Sequence, residues 1–498
     1  MGQKAATNAT AASYKRSWER AAARGTATAI ALLLGGVVAP ATAQSVPDPG
    51  IADRIFAEWN REDSPGCAVG VYHRGDVVLA RGYGEANLDW EIPIDDRTVF
   101  YSGSVSKQFT AATAALLHLR GDLDLDADVR SLIPELPPYD PQVTIRQLVH
   151  HTSGVRDIYG LISLSGGRVA DAWTDEEYLE LIAAQRELNF PAGSEYSYSN
   201  GAYYLLTTAI ERASGKRLDD VARELIFEPL GMDDTHFHQE STRLVPRRAL
   251  SYGGDRESGF RQTYLGNFDK SGAGGLYTTI QDLAAWDRNF ETGEVGGAEF
   301  LDLMLTPGVL TSGEALNYAF GLTLGEADGR RTVGHGGSFM GFRADYVRYP
   351  EEGISAAALC NLGSINPGQL TRRLVRETLD GPDPQDQRVR VASGDGQGDD
   401  AGRRPPPAPS SLSLRDYAGT YRSDEVGTTV TVRWTGAGLT ATRPGSTDSM
   451  ELEWLDGDRF RFSGAGLVLD FQVADGVPTG FRLDAGRVRN LLFARDDG

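Results

Sequence analysis

The sequence predicts an α+β domain followed by a small all-β domain. Apolar runs typical of strands lie near the amino terminus and again between about 331 and 360. The long stretch between them, about 122–329, is rich in helix-compatible spacing, so the sheet of the first domain should join its two ends around a helical insert. Beyond a segment rich in Asp, Gly, Gln and Pro, stretches of alternating polarity continue to about 483.

Length and charge restrict the functional classes. The chain has 498 residues, too many for one ordinary core, which favours two domains. Its 49 Lys plus Arg are outnumbered by 69 Asp plus Glu, for a formal net charge of -20, and no basic run compensates. We therefore expect no nucleic-acid partner.

Residues 1–43 are predicted to be a signal peptide. A basic stretch is followed by an apolar run from about Thr26 to Val38 and by the small-x-small site Ala41-Thr42-Ala43. The alternative is a membrane anchor, but the run is well short of the roughly 18 residues that spanning needs. We expect an exported protein, periplasmic or extracellular, with no membrane anchor after cleavage.

The elements of the first domain, predicted at 44–380, follow from local patterns. Two apolar runs, 67–72 and 77–83, flank a turn and predict a hairpin. A helix is predicted from Ser104 to Leu119, with Gly121 as its stop. Further helices are predicted in the middle of the domain, at 174–186 and 202–214. Strands are predicted near its end, at 331–333, 342–349 and 354–360.

The remainder is predicted to be a disordered linker at 381–410 and a small antiparallel barrel at 411–498. The linker contains Pro405-Pro406-Pro407 and has no means of building a core. Alternating stretches such as 467–473 are separated by Gly and Asp turns, which is typical of short antiparallel strands. The sequence does not state the role of this domain.

Lysine usage draws attention to one position. Only five of the 49 basic residues are lysines, and one of them, Lys107, lies in the single Ser-x-x-Lys of the chain, Ser104-Val105-Ser106-Lys107. A lysine can give up its proton at working pH and an arginine cannot. Residues three apart share a helix face, and the backbone N–H of Ser104 would lie at the positive helix end, where an oxyanion is favoured. The alternative is a helix cap beside a surface lysine.

Two further segments carry polar groups suited to the same chemistry. The only Tyr-x-Asn, Tyr198-Ser199-Asn200, precedes a helix-like run; its phenol can act as a base only if a neighbouring cation stabilises the phenolate. The stretch His335-Gly336-Gly337-Ser338 is predicted to follow a short strand, where glycines let the backbone approach a ligand. Each alone is also compatible with a structural loop.

In this order, the three segments resemble the serine β-lactamase and penicillin-binding-protein superfamily, specifically its class C-like branch of peptidase S12 type. The resemblance extends from about Ile51 to Asp380, and supporting stretches are 148–154, 228–232 and 273–279. It implies an antiparallel sheet flanked by helices. It also implies that the C-terminal domain is one of the lipocalin-like barrels often appended to this family.

The resemblance further implies a covalent serine hydrolase without a cofactor. Ser104 would be the acylated nucleophile, and Lys107 and Tyr198 would share its proton, with either one as the base. Asn200 would hold the amide side of the substrate. The N–H groups of Ser104 and Ser338 would form the oxyanion hole.

One departure from the family pattern affects the substrate. Most β-lactamases and carboxypeptidases of this family have Lys-Thr-Gly where this chain has His335-Gly336-Gly337, and a mostly neutral histidine attracts a substrate carboxylate less. We therefore rank D-amino acid peptides, amides or small esters above β-lactams and D-alanyl-D-alanine. Arg343 could replace the missing charge or could be a surface strand residue. A catalytically idle scaffold or binding homologue is the remaining alternative.

Cysteine and histidine usage completes the prediction. Cys67 and Cys360 each lie in an apolar run and are either buried thiols or, if their strands are neighbours, a disulfide. His236 and His238 lack nearby further ligands, so no metal site is predicted. The expected partner is a small-molecule or peptide substrate, with cell-wall fragments as one candidate.

Overall fold

The computed structural model describes residues 48–263, 271–381 and 412–496. The predicted signal peptide and all but the first residue of the predicted linker lie outside these ranges, so both stay predictions. Within the described ranges, no helix combines the length and the apolar character needed to cross a membrane.

The first domain is built on one six-stranded antiparallel sheet. Its strands are β1 (Cys67–His73), β2 (Asp76–Tyr83), β10 (Thr323–Ala327), β11 (Arg330–Phe339), β12 (Phe342–Tyr349) and β13 (Ile354–Cys360). Their order in the sheet is β10-β11-β12-β13-β1-β2. The amino-terminal hairpin therefore lies beside strands from the end of the domain, as predicted.

Short strands and helices occupy the chain between the two halves of the sheet. The short strands are β3 (Glu85–Asn87), β4 (Ile92–Pro93), β5 (Phe100–Tyr101), β6 (His236–Phe237), β7 (Tyr252–Asp255), β8 (Gly259–Gln262) and β9 (Leu276–Thr278). The helices are α1 (Pro49–Ile55), α2 (Ser106–Arg120), α3 (Ile145–Val149), α4 (Ile158–Leu164), α5 (Asp175–Ala183), α6 (Asn200–Ser214), α7 (Leu218–Ala222), α8 (Glu228–Leu230), α9 (Ile280–Thr292), α10 (Gly297–Met304) and α11 (Pro367–Asp380).

Both faces of the sheet are covered, which explains the continuous apolar run of β1. Ala68 and Tyr72 belong to the large core that also includes Ile280 of α9. Val69 and Val71, which point the other way, belong to a second core shared with α1 and α11. Strands buried on both faces do not alternate in polarity.

Cys67 and Cys360 form a disulfide. They lie directly opposite each other in the antiparallel pair of β1 and β13. The sequence left a bond and two buried thiols as alternatives, and strand order decides between them. The bond ties the first strand of the domain to the last one.

The second domain is a closed eight-stranded barrel in which each strand is antiparallel to its neighbours. The predicted fold class is thus confirmed for both parts of the chain. Aromatic side chains, among them Tyr421, Phe471 and Phe481, fill the barrel interior. Its strands are β14 (Gly419–Ser423), β15 (Thr428–Trp434), β16 (Leu439–Thr442), β17 (Ser449–Asp456), β18 (Arg459–Phe462), β19 (Leu467–Ala474), β20 (Val477–Ala485) and β21 (Val488–Asp496).

Candidate active site

Ser104 lies on a tight turn in front of α2. Residues 103–105 form a single 3-10 turn, and the α-helix begins at Ser106, two residues later than predicted. Gly103 has a φ of 56°, in the left-handed region that a side chain would strain. The Ser106 hydroxyl donates to Gly103 O at 2.6 Å and accepts from the N–H of Leu276 at 3.1 Å. These bonds fix the turn that presents Ser104.

Lys107 is completely buried, one helical turn after Ser104. Its Nζ lies 3.3 Å from Ser104 Oγ, 2.9 Å from Asn200 Oδ1 and 2.5 Å from the carbonyl oxygen of Ala273. None of these three oxygens belongs to a carboxylate. The predicted serine and lysine are thus in direct contact. Burial without a carboxylate among these three partners does not favour a permanent ammonium.

The charge state of Lys107 follows from its surroundings. Burial lowers its pKa from 10.5 to about 7, the carboxylate of Asp157 opposes that shift, and the guanidinium of Arg487 adds to it. A large fraction of Lys107 is therefore neutral near pH 7. An unshifted lysine would be almost fully charged there.

Tyr198 faces the same group from the segment before α6. Lys107 Nζ lies 4.8 Å from its ring centroid, and the ring packs against His151 at 4.3 Å between centroids. Burial raises the pKa of Tyr198 above its usual range, which the nearby Ser104 hydroxyl partly offsets. Among the described residues, no group makes a well-aligned hydrogen bond to the enclosed phenol oxygen. Tyr198 is therefore a neutral phenol whose oxygen is available for proton exchange.

Asn200 lies in the site and contacts Lys107. Its Oδ1 accepts from Lys107, and its Nδ2 donates to Asp157 Oδ2 at 2.8 Å. These two bonds make Asn200 a residue that positions Lys107, and its predicted contact with the amide side of the substrate stays a prediction.

The stretch 335–338 is part of strand β11, which corrects the prediction that it follows a short strand. β11 continues to Phe339, and it is paired with β12 from Val333 onward. Glycine is needed here because a Cβ on Gly337 would lie 2.0 Å from the Ser102 carbonyl oxygen, and one on Gly103 would lie 2.6 Å from the Ser338 nitrogen. The strand therefore packs directly on the Ser104 turn, with Gly337 close to the Ser104 nitrogen and Gly103 close to the Ser338 nitrogen.

His335 is a neutral imidazole with both nitrogens engaged. Its Nδ1 lies 2.6 Å from the carbonyl oxygen of Gly336 and must donate to it, so Nε2 accepts from the Tyr318 hydroxyl at 3.1 Å. Burial and the proximity of Lys107 lower its pKa to about 4. Arg343 lies opposite Ser338 in the pairing of β11 with β12, and its Nη1 donates to the carbonyl oxygens of Met340 and Phe342.

With this geometry established, the family match decides the class of protein. The Beta-lactamase family matches residues 51–380, well over half of the chain. The chain belongs to this family. The match confirms the predicted superfamily, which is one of serine hydrolases. A second family, described as a domain of unknown function (DUF3471), matches residues 403–495.

Curated relatives of this beta-lactamase family member include D-aminopeptidases. The protein of Gluconobacter oxydans is 32% identical over 302 residues, which cover 60% of this chain and 56% of the relative. The protein of Brucella anthropi is 30% identical over 304 residues, with coverages of 60% and 56%. The chain thus spans little more than half the length of these relatives.

Solved structures support the same fold. A penicillin-binding protein homologue from Pyrococcus abyssi, described as octameric, has a TM-score of 0.60 at 23% identity and covers 90% of this chain and 100% of its own. A D-amino acid amidase from Ochrobactrum anthropi SV3 has a TM-score of 0.55 at 22% identity, covering 66% and 98%. At these identities the likeness establishes the architecture only.

Sequence reasoning missed four residues of the family member's site. His151 lies within the stretch 148–154 that supported the resemblance, so a signal was present. Asp157 precedes an apolar helix and carries the signal of an N-cap, a role that it also has, accepting from Gly160 N. Tyr318 and Arg487 carried no signal, and Arg487 lies in the second domain.

Proposed function

We propose that this chain is an exported serine hydrolase that cleaves amide or ester bonds through a covalent acyl-enzyme. Its expected substrates are D-amino acid amides, short D-peptides or small esters. The observation that carries the proposal is Lys107 Nζ, buried without a bonded carboxylate and 3.3 Å from Ser104 Oγ.

Hydrogen-bond counting favours Lys107 over Tyr198 as the base. A neutral amine has two N–H donors and one lone pair. Asn200 Oδ1 and the Ala273 carbonyl oxygen can only accept, so they take the two donors. The lone pair is then left for the third neighbour, the Ser104 hydroxyl, whereas the pKa of Tyr198 is raised so far that its phenolate is scarce at neutral pH.

The reaction follows from these positions. Ser104 Oγ attacks the acyl carbon and its proton passes to Lys107, while the N–H groups of Ser104 and Ser338 stabilise the oxyanion. The proton then moves through Tyr198 to the leaving nitrogen or oxygen, the acyl bond breaks and an ester to Ser104 remains. A water molecule, deprotonated by the same groups, hydrolyses that ester and regenerates the serine.

The substrate class rests on charge. The relatives are D-aminopeptidases by name, and His335 brings no positive charge to the position where a lysine would attract a carboxylate. A class C-type β-lactamase or D-alanyl-D-alanine carboxypeptidase is the alternative, and a catalytically idle homologue is the second one. The buried lysine with its lowered pKa argues against an idle site, because such a group is expensive to retain without a use.

Export is supported by two independent features. The first 43 residues have the pattern of a cleaved signal, and the Cys67–Cys360 bond is of the kind that persists in oxidising compartments.

Active-site labelling tests the proposal. An activated fluorophosphonate should modify Ser104, as located by peptide mass spectrometry, and Ser104→Ala should abolish the label. The same measurement after exposure to D-amino acid amides, short acyl esters and penicillins identifies the substrate class from the mass of the acyl adduct. Folded protein that takes up no label would contradict the proposal, and faster acylation by penicillins than by amides or esters would favour the β-lactamase alternative.

A further inference from the structure

The turn between β20 and β21 reaches from the barrel to the active site. The side chain of Asn189 in the first domain binds this turn twice, with Nδ2 donating to Arg487 O at 2.9 Å and Oδ1 accepting from Arg489 N at 2.7 Å. The backbone N–H of Asp157 also donates to Arg487 O, at 3.3 Å. The backbone at Arg487 is thereby fixed beside the start of α4.

A buried arginine holds the same turn from the other side. Arg156 donates through Nε to Arg489 O at 3.0 Å and through Nη2 to Asn490 O at 2.9 Å. Its remaining Nη1 pairs with Glu425 of the barrel at 2.6 Å, with both side chains almost fully buried. Arg156 and Asp157 are consecutive, so the residues that dock the barrel adjoin those that organise the site.

The Arg487 side chain lies over the catalytic groups. Its Nη1 is 3.4 Å from Asp157 Oδ2, and its guanidinium carbon is 5.6 Å from the Tyr198 ring centroid. The same Asp157 oxygen accepts from both the N–H and the Nδ2 of Asn200, at 2.9 and 2.8 Å. Because Asn200 in turn binds Lys107 Nζ, a continuous chain of polar contacts runs from the barrel to the amine.

Arg487 is also the permanent cation among the charges that act on Lys107. Two tyrosines face the amine, Tyr198 and Tyr203, and burial raises the pKa of each above its usual range. Two histidines interact with it, and burial lowers the pKa of His151 well below its usual value and that of His335 to about 4. All four are neutral near pH 7, which leaves, within the part of the chain that the structure describes, the carboxylate of Asp157 and the guanidinium of Arg487 as the charged groups that act on Lys107.

We propose that Arg487 of the barrel is a positioning residue for the first domain's active site. It pairs with the carboxylate that holds Asn200 and offsets its negative charge, so that the amine is neutral and ready to accept the serine proton. The barrel is then part of the catalytic apparatus and not only an appended domain. This inference rests on the proposed proton transfer through Lys107.

The test compares Arg487→Gln with two other variants. Arg487→Lys keeps the charge, and Arg489→Gln removes an arginine of the same turn that pairs with exposed Glu195. The rate of Ser104 labelling by an activated fluorophosphonate is measured for each full-length protein between pH 5 and 9. Thermal unfolding of each variant confirms that it is folded.

Loss of the cation should make Lys107 easier to protonate, and an unpaired Asp157 acts in the same direction. The acid limb of the Arg487→Gln profile should therefore move up by about 0.5 to 1 pH unit. At pH values below the limb, the labelling rate of Arg487→Gln should be about three- to tenfold lower than that of the wild type, with little change at pH 9. Arg487→Lys and Arg489→Gln should keep the wild-type limb.

Two results would overturn the inference while leaving the proposed function intact. One is an Arg487→Gln profile that coincides with that of the wild type. The other is an equal loss at every pH, which would indicate a structural role only. Wild-type protein that fails to label at Ser104 would instead contradict the proposed function itself.

Discussion

The charge state of Lys107 predicts the pH dependence of acylation. The quantity varied is the pH, because only the neutral amine can take the proton of Ser104. With a pKa of about 7, about one tenth of the lysine is neutral at pH 6, about half at pH 7 and about nine tenths at pH 8. The displacement from 10.5 corresponds to about 5 kcal/mol between the two protonation states.

The sign follows from the direction of the shift. Burial disfavours the charged form, so the pKa falls and the active form is present above it and lost below it. The acylation rate should therefore rise about tenfold per pH unit below pH 6 and level off above pH 8. A lysine with its ordinary pKa would give a limb more than three units higher.

Single-turnover acylation measures this limb without interference from deacylation. The release of p-nitrophenol from an acyl ester is followed in stopped flow, with enzyme in excess, and Ser104→Ala supplies the background. His335→Asn is the control for a histidine that interacts with Lys107. Because the pKa of His335 lies at about 4, its removal should not eliminate the limb near 7. A wild-type rate that is flat from pH 5 to 9, or a limb that disappears in His335→Asn, would refute the assignment of Lys107 as the base.

Three further predictions test the geometry, the first two with a control variant. Gly337→Ala should reduce the acylation rate about 100-fold, because its Cβ would lie 2.0 Å from a carbonyl oxygen of the facing turn. Gly336→Ala, whose Cβ would have its nearest contacts at 3.8 Å, should reduce the rate by at most about 10-fold. Glu425→Gln should lower the free energy of unfolding by about 3 kcal/mol in denaturant titrations, because a buried guanidinium loses its carboxylate, whereas exposed Glu453→Gln should change it by less than about 1 kcal/mol. His335→Lys should raise the acylation rate by penicillins relative to small esters at least about tenfold, since it adds the cation that attracts a carboxylate; an unchanged ratio would contradict this account of selectivity.

The fold could be predicted from sequence wherever the determinants are local. Apolar runs gave the hairpin of β1 and β2, and the α2 helix ends at Gly121, whose φ of 80° is the left-handed cap that a glycine permits. The bond between Cys67 and Cys360 could not be decided, because it depends on which strands are neighbours. The extent of β11 was underestimated, because glycines weaken a strand pattern although here they allow close packing against the Ser104 turn.

The candidate site was predictable to the extent that its residues lie in short segments of fixed spacing. Ser104, Lys107 and Tyr198 are brought together by the structure as predicted. The contact between Asn200 and Asp157 was not predictable, because the two residues are 43 positions apart. Arg487 was still less predictable, as it is one of many arginines and belongs to another domain.

The neutral amine of Lys107 relates the scarcity of lysines to the contact between the two domains. Lys216 forms an exposed pair with Glu224, an interaction that an arginine could make equally well. Lys107 does what an arginine cannot do, because its amine can be neutral at working pH. Neutrality requires burial, and it also requires that the nearby carboxylate, Asp157, does not recharge the amine. The barrel places the guanidinium of Arg487 3.4 Å from the carboxylate of Asp157, where its positive charge opposes that carboxylate.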